Sequence, residues 1–117
     1  MEKRNSNSGS LNVSESVIAS IANLAASEVH GVYEMSQAPI DIKTVLAHKD
    51  APKSVRIEIK NEVAYVDIYV KLEFDASIPE VCSEIQRRVK ESVQSMTGMI
   101  VARVNVHVTD VSVPEKQ

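Results

Sequence analysis

"SVRIEIKNEVAYVDIYVKLEF", residues 54–74, decides how this chain folds. Val55, Ile57 and Ile59 alternate with Arg56, Glu58 and Lys60. Beyond Asn61-Glu62, Val66, Ile68, Val70, Leu72 and Phe74 alternate with Tyr65, Asp67, Tyr69, Lys71 and Glu73. Successive side chains on a strand point to opposite faces. Period two on both sides of a short polar break therefore predicts an antiparallel hairpin with one dry and one wet face.

On the N-terminal side, "SLNVS" (10–14) reads as a short strand with Leu11 and Val13 on one face. A helix is expected from Glu15 to His30, with Ser14 as N-cap and Glu15 favourable in the first turn. Ile18, Ile21, Ala22, Ala25 and Val29 form its apolar stripe, and Gly31 is placed to adopt the left-handed position after it. Residues 34–54 show no sustained period. "IDIKTVLAH" fits a short helix inside a connection bracketed by Pro39 and Pro52.

On the C-terminal side, a helix is expected from Ile78 to Thr97, with Pro79 in its first turn and Gly98 ending it. Its stripe is Ile78, Val81, Cys82, Ile85, Val89, Val93 and Met96. The last strand, "VARVNVHVTDVSV" (101–113), turns Val104, Val106 and Val108 inward and Arg103, Asn105 and His107 outward. A phase slip near Thr109-Asp110 fits a bulge.

The order is β-α-β-β-α-β. It predicts an α+β, two-layer domain over residues 10–113, a mainly antiparallel sheet with both helices on one face and the other face open. Residues 1–9 and 114–117 read as flexible tails. Aromatic residues are only 3% of the 117-residue chain, so the core must be aliphatic. A net charge of -3 argues against a dedicated nucleic-acid binder. A single cysteine, Cys82, fits a reducing compartment, and no signal peptide or membrane-spanning run is evident, so a cytoplasmic protein without direct membrane insertion is expected.

The residue types of catalysis are present but scattered. Ser27, Glu28 and His30 lie close in sequence, yet their spacing at a helix end reads as a stop signal rather than a triad. His48 and His107 are far apart, and Cys82 falls on an apolar stripe, so no metal, cofactor or nucleophile site is expected. Arg87 and Arg88 stand at helical spacing from Glu84 and Glu91, which predicts a self-paired polar face. What keeps functional weight is the wet face of the sheet, where Tyr65, Tyr69, Arg103 and His107 form a candidate protein-interaction surface against the alternative of plain surface cover.

Two blocks, "GSLNVSESVIASIANLAASEVHGV" (9–32) and "SIPEVCSEIQRRVKESVQSMTGMIVARVNVHV" (77–108), resemble the alkaline shock protein / Gls-type envelope stress response family of Gram-positive bacteria. The resemblance extends over residues 9–113 and departs from the family at Met99 and at Pro52-Lys53-Ser54. It implies a non-enzymatic cytoplasmic protein linked to envelope stress, recruited to the inner face of the membrane by a protein partner such as a small membrane-embedded anchor; a homo-oligomer is a separate expectation, attached to the wet face of the sheet. The alternative that the resemblance admits is a regulatory partner of fatty-acid synthesis. A KH-like single-stranded RNA binder is the remaining alternative, but such modules grip the backbone with a GXXG loop that this chain lacks.

Overall fold

A computed structural model describes residues 14–37 and 52–112. Its elements run α1 (Glu15–Ser27), β1 (Val32–Met35), β2 (Val55–Lys60), β3 (Val63–Leu72), α2 (Ile78–Thr97) and β4 (Ile100–Val111). The strand expected at residues 10–14 and the short helix expected between Pro39 and Pro52 lie outside the described residues.

The hairpin is where the alternation puts it. Lys60 pairs with Val63 and Val55 with Ile68, so Asn61 and Glu62 are the turn. Both have positive φ (51° and 67°), the conformation that matches the right-handed twist of paired strands. Val66, Ile68, Val70 and Leu72 are fully buried, while Tyr65, Asp67 and Tyr69 between them are half-buried. Phe74 departs from the expected alternation: β3 stops at Leu72 and Phe74 is 57% exposed in the turn beyond.

β3 is the central strand. β4 runs parallel to it along one edge, and β2 and β1 share the other edge end to end, both antiparallel. Two of the three ladders are thus antiparallel. The parallel third follows from the α2 crossover, since a helix carries the chain back before β4 begins. β1 had no counterpart in the sequence reading, because four residues offer too few alternations to register. Tyr69 holds the point where β1 hands over to β2: its C=O accepts from Ser36 N–H (2.8 Å) and its N–H donates to the Ser54 C=O (2.9 Å).

α1 starts as expected. The Ser14 hydroxyl accepts from Val17 N–H at 3.2 Å, and Glu15 sits in the first turn. It ends three residues earlier than the periodicity suggested, at Ser27, with Glu28 as the C-cap. The reason is tertiary. The turn at 28–31 closes through Val32 N–H to the Val29 C=O, and the Gly31 C=O accepts from Glu73 N–H (2.9 Å) at the end of β3. That turn leaves Val29 3% exposed although it is no longer helical. Gly31 does take a positive φ (102°), but three positions beyond the cap rather than at the helix end.

α2 has Pro79 in its first turn and Gly98 as a left-handed C-cap (φ 77°), whose N–H donates to the Gln94 C=O. Val81, Ile85, Val89 and Val93 are buried, but the stripe ends in Thr97 instead of Met96, which is 69% exposed. Thr97 tolerates burial because its hydroxyl donates to the Val93 C=O (2.6 Å) and accepts from Met99 N–H (3.0 Å). Ile78 is also largely exposed, and Cys82 is half-buried, its thiol pushed up by burial.

α1 and α2 pack against each other, α1 also on β2 and α2 on β4. Their buried side chains join the even-numbered face of β3 in one aliphatic cluster. The odd-numbered face of β3 is left to polar and aromatic groups.

Candidate interaction face

The register places the four singled-out residues opposite one another in pairs. Tyr65 stands beside Arg103 and Tyr69 beside His107, on neighbouring strands and the same face. The Tyr69 and His107 rings stack, with centroids 4.5 Å apart and planes 13° from parallel. Such a stacked pair adds about 1 kcal/mol beyond the area it covers.

Between the two pairs lies Asp67, which sequence reasoning did not single out. Its Oδ1 is 3.0 Å from His107 Nε2 and accepts from Asn105 Nδ2 at 3.1 Å. One carboxylate thus fixes the imidazole edge while Tyr69 covers its face, and the ring is held in a single orientation. Alternation already put Asp67 between the tyrosines and Asn105 between Arg103 and His107. What it could not supply was the β3–β4 pairing that brings them into contact.

The face continues outward with charges of both signs. Lys71 pairs with Glu34 (3.1 Å) and Lys60 with Glu58 (3.6 Å). The Thr109 hydroxyl donates to Ser36 Oγ (2.7 Å), tying the end of β4 to the end of β1. Thr109 is also where the ladder slips against β3, as the sequence suggested near Thr109-Asp110, and a second slip occurs at Ala102. That second irregularity explains how Val101 and Val104 are both buried although they are three residues apart.

The remaining candidates do not converge. The Ser27 hydroxyl is committed to the Leu24 C=O (2.8 Å) and makes no bond to His30. Arg87 and Arg88 are paired as their spacing predicts: Glu84 accepts from both, Glu91 from Arg87. Hydrogen bonds from Arg87 and then Arg88 pull the Glu84 carboxyl down to about 2. His48 lies outside the described residues. An open groove of about 580 Å³ separates the turn after α1 from the start of α2; Val29, Gly31 and Val81 line it, with His30 and Arg88 at its sides. Among the described residues no three of His, Cys, Asp and Glu are arranged to hold a metal ion, and no helix is long and apolar enough to cross a membrane.

Solved MamM-CTD structures share the fold, with a TM-score of 0.52 at 13% identity over 83% of this chain and 98% of that one. YqhY of Bacillus subtilis is 26% identical over 99% of this chain and 87% of its own length. Spy1614 of Streptococcus pyogenes is 31% identical over 95% of this chain and 94% of its own. A protein of the same species named as a stress response regulator gls24 homolog is 27% identical over 92% of this chain, which spans 62% of that protein. The model of one family, described by a cell envelope-related function, matches residues 3–113, and the chain therefore belongs to the alkaline shock protein 23 family.

Proposed function

We propose that this chain is a non-enzymatic interaction module of the envelope stress response, which works in the cytoplasm and is recruited to the membrane by a protein partner. The surface it uses is the sheet face around Tyr65, Tyr69, Arg103 and His107. The observation that carries this reading is the pre-ordered Tyr69–His107 stack, anchored by Asp67 on a face that contributes nothing to the aliphatic core. Rigid aromatic groups beside Arg are the usual anchors of protein contacts, because little side-chain entropy is lost when they bind. Family membership supports the link to the envelope.

The double variant Tyr65→Ser/Tyr69→Ser tests it. Neither side chain belongs to the core cluster, so circular dichroism and thermal melting should show a folded protein. Affinity for a partner captured by the native chain is expected to fall by about 2 kcal/mol, roughly thirtyfold. Unchanged capture by the folded variant would assign the contact to another surface.

A further inference from the structure

Both edges of β3 are taken, so among the described residues the outer edge of β4 is an edge of the sheet. Which backbone groups it presents follows from Tyr69. Its N–H and C=O both address the β1–β2 side, through Ser54 and Ser36. Backbone groups of successive strand residues alternate between the two edges, so the even-numbered residues of β3 address β4. The Leu72 C=O, accepting from Ser112 N–H at 2.8 Å, does so. In a parallel ladder such a residue bonds to the two neighbours of its register partner, and the partner itself faces away. The partners of Val66, Ile68 and Val70 are Val104, Val106 and Val108, whose N–H and C=O groups therefore point outward.

Among the described residues, side chains cap that edge at its ends and leave its middle bare. Gln94 Oε1 accepts from Val101 N–H (3.0 Å), Gln86 Nε2 donates to the Val104 C=O (2.9 Å), and Asp110 Oδ1 accepts from Val111 N–H (2.8 Å). The register turns the N–H and C=O of Val106 and Val108 away from β3, and among the described residues no side chain bonds to them. β4 contains neither lysine nor proline, the residues that usually discourage edge pairing. Its two permanent charges, Arg103 and Asp110, are opposite in sign and stand toward opposite ends. The side chains of Val106 and Val108 are only half-buried.

We propose that this edge pairs antiparallel with β4 of a second copy, with Val106 on the twofold axis. Pairing Val106 with itself makes both of its backbone bonds at once. Val104 then lies opposite Val108 of the second copy and Asn105 opposite His107. Arg103 of each copy comes beside Thr109 and Asp110 of the other, so the charges complement each other twice. The slips at Ala102 and Thr109 bracket the regular stretch and confine the pairing to it. The two interaction faces merge into one, although the pairing does not depend on that face binding anything.

Sedimentation equilibrium of the full chain should give twice the 12.9 kDa monomer mass. Val106→Pro removes only an outward N–H, which an edge strand tolerates, and should give a folded monomer. In a Cys82→Ser background, Val106→Cys should form an interchain disulfide nearly completely on mild oxidation, because hydrogen-bonded antiparallel partners have Cα atoms about 5.5 Å apart. Val104→Cys in the same background should not, its two copies being about 13 Å apart along the strand. A native chain that stays monomeric up to millimolar concentration overturns the proposal. So does equal cross-linking at positions 104 and 106, a test that stands even if the proline variant fails to fold.

Discussion

Gly31→Ala is expected to lower the unfolding free energy by about 3 kcal/mol, from two sources that add. At φ 102° the residue sits where an L side chain is strained. A Cβ built there would also lie 2.6 Å from Val81 Cγ2 and 3.4 Å from Ala76 Cβ. Val81 cannot yield easily: its branched side chain has few rotamers, and it is 7% exposed on the core face of α2. The turn that carries Gly31 is bonded on the other side to Glu73, so backbone movement would break that bond. Urea denaturation of native and variant chains measures the difference. A loss below 1 kcal/mol would mean that the packing of this turn on α2 is looser than described.

Ile68→Ala should cost about 4 kcal/mol. Ile68 is fully buried at the middle of the central strand, flanked by Val66 and Val70 and covered by the cluster that both helices enter. Removing its three terminal carbons leaves a cavity that fixed neighbours on two strands and two helices cannot fill. Urea midpoints again give the measurement. A loss smaller than 1.5 kcal/mol would show that the even-numbered face of β3 is not the core.

The contrast between those two residues shows what the sequence makes legible. Strict alternation across 55–72 identified the hairpin, its turn and the dry face, because a half-buried strand writes its environment with period two. The stop at Gly98 and the cap at Ser14 were equally readable, being local chemistry. What failed to show was tertiary. Val29 is buried outside its helix, Thr97 replaces Met96 in the core by satisfying its own hydroxyl, and Phe74 falls beyond the strand whose alternation it extends. β1 was invisible because its four residues offer too few alternations, and its place beside β3 is set by tertiary pairing.

The candidate face was half legible for the same reason. Tyr65, Tyr69, Arg103 and His107 could be put on wet faces one strand at a time. That β4 lies parallel beside β3, in a register that stacks Tyr69 on His107 and gives Asp67 to both Asn105 and His107, depends on the crossover through α2. No local pattern encodes such a pairing. Asp67 looked like one more charge in an alternating strand until its neighbours arrived.

The central claim is that one face of this sheet builds the core and the other meets a partner. Site-specific photo-cross-linking in Gram-positive cells tests it most directly, with the reactive side chain placed either at Tyr65 or at Lys90 on the exposed flank of α2. The account predicts a discrete protein adduct from position 65 and none from position 90. An adduct from position 90 alone, or none from position 65 in cells under envelope stress, would contradict it.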